Sequence, residues 1–174
     1  MTGPAATYIT EEMRALVGRV MATATSFPIA ASDIRRWAAA VYYPEIPPRL
    51  FWDAEYATST PFEGIVAPEE FNPFAIMTAD PPPSPRSPPR PGRFERAFGV
   101  EPPASRAVLQ GAIRVRYTGI RMRPGDVIRS TQRITEYSER EGRMGLQLYT
   151  TLSTEFVNQF DQLIKTLDTV YVRY

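Results

Sequence analysis

Polar and apolar residues alternate most regularly between Leu146 and Val157. Leu146, Leu148, Thr150, Leu152, Thr154 and Phe156 fall on one face of an extended chain, and Gln147, Tyr149, Thr151, Ser153 and Glu155 on the other. A period of two predicts a strand with one buried face. Three further runs rich in Val, Ile, Thr, Tyr and Phe read as strands: Gly111–Ile120, Val127–Ser138 and Leu163–Tyr174. The segments between them, Arg123-Pro124-Gly125-Asp126, Glu139–Arg143 and Asn158–Gln162, carry turn residues. Four antiparallel strands with one apolar face need a second layer, which the N-terminal half must supply.

That half is mixed. Thr10–Val17 reads as a short helix capped by Thr10 and ended by Gly18, and Arg19–Phe27 as a strand stopped by Pro28. Ser32 can cap a helix over Asp33–Tyr42, whose Ile34, Trp37, Ala38 and Val41 form an apolar stripe. Asp53–Thr58 suits a helical turn. Pro68-Glu69-Glu70 resembles a helix start, placing Phe71, Phe74, Ala75 and Met77 in a buried helix, although Pro73 forces a kink or a restart capped by Asn72. Residues 81–91 hold seven prolines in eleven positions and are expected to form an extended surface loop, either a semi-rigid connector or a lid or docking segment.

Composition narrows the chemistry. A length of 174 residues, 43% hydrophobic and 22% charged, suits one domain over residues 1–174. A net charge of +1 gives no general electrostatic case for nucleic acid or an anionic membrane. No apolar run is long enough to span a bilayer, the first residues lack a signal-peptide layout, and the expected compartment is the cytoplasm. The chain has no cysteine and no histidine, which excludes disulfides, thiolate zinc sites, histidine-ligated metals and every nucleophile–histidine pair. No metal or separate cofactor is expected.

A helix gripped by a long antiparallel sheet is the hot-dog arrangement, an α+β fold. Ile34–Ala40, Trp52-Asp53-Ala54-Glu55-Tyr56-Ala57 and Gly64-Ile65-Val66-Ala67-Pro68 resemble the N-terminal hot-dog domain of MaoC-like dehydratases, of the FAS1-like dehydratase type. Leu109-Gln110-Gly111, Arg123–Ile128 and Tyr137–Gly145 resemble the same family's later strands. The resemblance implies an acyl-thioester substrate, carried on coenzyme A or an acyl carrier protein, that gains or loses water. It implies an Asp and His acid/base pair in a loop before the central helix, with backbone N–H groups at the helix start holding the thioester oxygen. Aligned on Asp53 and Ala57, the histidine position falls on Phe51 and the aspartate position on Ile46, beside Glu45. Tyr43 enters if the register shifts by one residue. Phe and Ile carry no protons.

The resemblance therefore implies a subunit of an enoyl-thioester hydratase or 3-hydroxyacyl-thioester dehydratase that lacks its own acid/base pair and acts with a catalytic hot-dog partner, in a hetero- or homodimer. Phe51, Asp53, Gly64, Ile65, Val66, Ala67, Gln110 and Gly111 are its expected substrate-binding positions. Glu45 and Tyr43 are the candidate catalytic groups of an alternative, a self-sufficient homodimer of specialised acyl or polyketide-like metabolism. A non-catalytic acyl-thioester-binding protein is the third reading. Arg86, Arg90, Arg93 and Arg96 are candidate phosphate ligands for coenzyme A. The plainer readings are that Glu45 is a solvated loop residue, that Asp53 caps the following turn, that Gly64 permits a tight turn, and that the arginines are solvated.

Overall fold

The computed structural model describes residues 7–75, 94–143 and 145–174. Among them, five antiparallel strands form one sheet in the order β1-β3-β4-β5-β2. The strands are β1 (Val20–Thr25), β2 (Val108–Tyr117), β3 (Arg129–Gly142), β4 (Gly145–Val157) and β5 (Leu163–Arg173). The alternation in β4 is borne out: Leu148, Thr150, Leu152, Thr154 and Phe156 are buried, and the residues between them are less so. Pairing of Leu148 with Arg173, Leu152 with Thr169 and Phe156 with Lys165 carries that inward parity onto β5.

The N-terminal elements are α1 (Glu11–Arg14), α2 (Ala31–Tyr42) and α3 (Ala54–Thr58). Thr10 caps α1 by accepting from Met13 N–H at 3.2 Å. Helix α2 starts two residues before the expected position, with Asp33 rather than Ser32 satisfying its first turn: the carboxylate accepts from Ala30 N–H at 3.0 Å. Ile34 and Ala38 are buried in one cluster with Phe156 and Ile164 of the sheet and Ile128 just before β3, with Trp37 half-buried edge-on to Phe71. Val41, expected in that stripe, is exposed, whereas Tyr42 beside it packs on the core.

Two further expectations are corrected. The turn expected at Glu139–Arg143 lies later. The β3–β4 ladder runs on to Gly142 opposite Gly145, and the chain reverses between them. The cause is non-local: the Glu139 carboxylate takes Tyr8 N–H, Ile9 N–H at 3.2 Å and the Thr7 hydroxyl at 2.9 Å, tying the incoming N-terminal segment to an extended β3.

The helix expected from Pro68 does not form among the described residues, which give only a turn and one 3-10 turn, Pro73–Ala75. A helix needs the Glu69 carbonyl to accept from residue 73, which is a proline without an N–H. Instead Lys165 Nζ donates to Glu69 O at 3.1 Å and to Phe71 O at 2.8 Å, and Arg121 donates to Ala67 O at 2.9 and 3.1 Å. Three alternate carbonyls thus go to cations across the sheet. The restart at Asn72 is the reading that holds, with its side-chain oxygen accepting from Phe74 N–H at 3.0 Å. Phe71 is nevertheless fully buried with Ile34, Ala38, Val66 and Phe156. The sheet grips α2 together with this irregular segment.

Candidate functional site

The loop after α2 and the stretch Gly64–Ala67 are two places where the family resemblance puts the expected acyl-thioester chemistry. Phe51 ends a 3-10 turn, Arg49–Phe51, and is 6% exposed, with its ring 6.0 Å from that of Tyr42. It is a core residue. Ile46 is 84% exposed and Tyr43 is 82% exposed. Glu45 is exposed too, and its N–H donates to Tyr42 O at 2.7 Å. The positions aligned with the acid/base pair therefore differ fully in environment, one inside the core and one in solvent.

Asp53 caps α3, accepting from Tyr56 N–H at 3.0 Å, and takes a forked contact from Arg49 at 2.7 and 2.9 Å. The Tyr56 hydrogen bond, then Arg49, holds its carboxyl below the usual carboxylate range. The Trp52 indole N–H donates to Pro47 O at 2.9 Å and pins the loop. Arg35, Ala39, Ile46, Pro47 and Trp52 then line a mostly apolar surface groove beside it.

At the second stretch, Gly64 has φ +153°, and its N–H donates to Ala57 O at 3.1 Å. Ala67 N–H donates to Met122 O at 2.8 Å. These two donors are spent within the fold. Val66 and Ala67 are fully buried core residues. Gln110 and Gly111 lie on β2 at a register shift against β5. A Cβ on Gly111 would come within 2.8 Å of Val172 Cγ2, so glycine allows the close strand approach at that bulge. Of the candidate phosphate ligands, Arg96 pairs with Glu101 at 2.6 Å, while Arg86, Arg90 and Arg93 lie outside the described residues, as does the proline-rich stretch.

Two arrangements escaped the sequence reading. Lys165, the only lysine beside nineteen arginines, is 5% exposed, with its Nζ 5.3 Å from the Phe156 ring centroid. Burial lowers its pKa to about 8, partly offset by the Glu70 charge. Its signal was available: it stands at an inward-facing position of a strand. Deeper in, Arg173 grips Glu95 through two contacts at 2.7 and 2.9 Å and donates to Thr150 Oγ1 at 2.7 Å, and the Tyr137 hydroxyl donates to Glu95 at 3.0 Å. Burial, then the Glu95 charge, pushes the Tyr137 hydroxyl well above its ordinary pKa. Among the described residues no group of three or more acidic side chains is placed to hold a metal ion.

A sequence profile described as FAS1-like, dehydratase domain region, matches residues 15–167. The chain belongs to that family. It is a MaoC-like hot-dog protein, as its sheet and covering layer agree. No curated protein matches the sequence. Among solved structures, the ChsH1-ChsH2 complex from Mycobacterium tuberculosis aligns with a TM-score of 0.62 at 14% identity, covering 90% of this chain and 84% of that one. The C-terminally truncated HadBC (3R-hydroxyacyl-ACP dehydratase) complex from Mycobacterium tuberculosis aligns at 0.56 and 16%, covering 87% and 94%. The MaoC-like dehydratase from Rhodospirillum rubrum aligns at 0.55 and 15%, covering 88% and 90%. These likenesses concern the fold.

Proposed function

We propose that this chain is the subunit of a hydratase or dehydratase acting on an acyl thioester that shapes the acyl pocket while a second hot-dog chain supplies the acid and base. The observation that carries this reading is the fate of the two aligned positions: Phe51 has become core and Ile46 is an exposed aliphatic, in a chain with no histidine at all. Protonating a leaving hydroxyl or activating water needs a titrating group within hydrogen-bond reach, and neither position offers one.

The sheet supplies a place for the partner. Among the described residues, strand β2 is ten residues long, ends the sheet and pairs with β5 alone. An open edge of this length invites a further strand. Leu109 is 54% exposed and Ile113 is 59% exposed along it, apolar surface that a second sheet would cover. That the ChsH1-ChsH2 and HadBC structures are complexes of two named chains supports pairing with an unlike subunit. The substrate would be a trans-2-enoyl or 3-hydroxyacyl thioester, with water added or removed.

The test is co-expression with a hot-dog chain that keeps the Asp and His loop, followed by size-exclusion chromatography. Co-elution supports the reading. A chain that forms only homodimers and turns over enoyl thioester unaided contradicts it and favours the Glu45 or Tyr43 chemistry.

A further inference from the structure

Ammonium groups are strongly hydrated, and burying one costs free energy unless its donors are met. This chain uses arginine at every other cationic position and keeps lysine at one, on the inward face of β5. An arginine fork is planar and wide, whereas a lysine ends in a compact donor on an aliphatic stem. The Nζ of Lys165 lies over the Phe156 ring, 5.3 Å from its centroid, and reaches between two carbonyls of one irregular segment, Glu69 O and Phe71 O. Arg121 takes Ala67 O two residues earlier and pairs with the Glu69 carboxylate at 3.2 Å. Among the described residues the segment shows no α-helical hydrogen bond of its own, only the tight turn in which Phe71 N–H donates to Pro68 O.

We propose that Lys165 is a positioning residue: its amine fixes the path of Ala67–Phe71 across the sheet, and with it the backbone of Ile65 and Val66. Two carbonyl acceptors match two N–H donors, a demand that the neutral amine meets as well as the ammonium. The inference deepens the reading of Gly64–Ala67 as substrate-binding positions and rests on that reading for its functional consequence. Its structural content stands on the contacts alone.

The absence of cysteine makes the test clean. Lys165→Cys can be alkylated in the unfolded chain with bromoethylamine, which restores an amine at the reach of lysine, or with bromopropane, which restores the shape without it. Native-state cleavage by a glutamyl endopeptidase after Glu69 and Glu70 then reads the order of the segment. The propylated protein should be cut there roughly tenfold faster or more, as expected for losing two hydrogen bonds from a buried donor, with its melting temperature close to that of the unmodified chain. The aminoethylated protein should return to the original rate. Equal cleavage of the two forms overturns the proposal.

If the propylated form does not fold, labelling of the unmodified chain decides. Acetylation of Lys165 in the native state should run roughly a hundredfold or more below that in the unfolded chain, set by local opening. Equal rates overturn the proposal. No substrate enters these readouts, so their failure leaves the proposed function standing, and failure to hydrate thioester in the assembled complex leaves Lys165 standing.

Discussion

Lys165 makes stability depend on alkaline pH, with a sign fixed by its burial. Its folded pKa of about 8 lies below the ordinary 10.5, so the unfolded chain binds more protons between those values. Stability therefore rises as pH climbs from about 8 towards 10.5, and the cost of burying the charge is fully present below 8. The stability of Lys165→Met relative to the parent should fall by about 3 kcal/mol between pH 7 and pH 10.5, read by urea unfolding at each pH. The absence of histidine and cysteine keeps that window free of their titration. Phe51 tests the same scale from the opposite direction. Grafting Ile46→Asp and Phe51→His should give no hydratase activity, because position 51 faces the core, and Phe51→His should cost about 3 kcal/mol. Measurable hydration by the double graft would place residue 51 in a pocket instead.

At the scale of elements, what could be read from the sequence depended on whether the cause was local. The inward face of β4 follows from a period of two, and the α3 cap follows from Asp53 standing before Ala54. The β3–β4 turn lies later than its local turn residues suggest because Glu139 binds residues 130 or more positions earlier in the chain. The start residues at Pro68 favour a helix locally, but Pro73 has no N–H to offer and two distant cations, Lys165 and Arg121, take the carbonyls the helix needs. Phe51 and Ile46 were identified by alignment, but their opposite environments are set by the packing of the 3-10 turn on Tyr42. The Glu95–Arg173 pair that ties the segment at Phe94–Phe98 to the end of β5 was invisible for the same reason. Glu95→Gln removes the carboxylate charge that Arg173 grips through two contacts and should cost about 3 kcal/mol or more by thermal or urea unfolding, whereas Tyr137→Phe should cost about 1 kcal/mol. Equal small effects would mean that the pair is not buried in solution.

For the whole molecule, the sheet of the described residues ends at β2, and the two positions aligned with the family's acid and base, Ile46 and Phe51, carry no titrating group. The proposed second hot-dog chain across β2 would answer both features at once. Ile113→Lys, a charge on an open edge strand, should abolish co-elution with the partner while shifting the melting temperature of the isolated chain by no more than a few degrees. A variant that keeps its partner would move the interface elsewhere.

The most direct measurement is the hydration of a short trans-2-enoyl thioester, followed by the loss of its ultraviolet absorbance. The purified chain alone should show no rate above the uncatalysed background, and the complex with a partner bearing Asp and His should turn over, with activity lost when the partner's histidine is replaced. Turnover by the chain alone, or a complex indifferent to that histidine, would contradict the account.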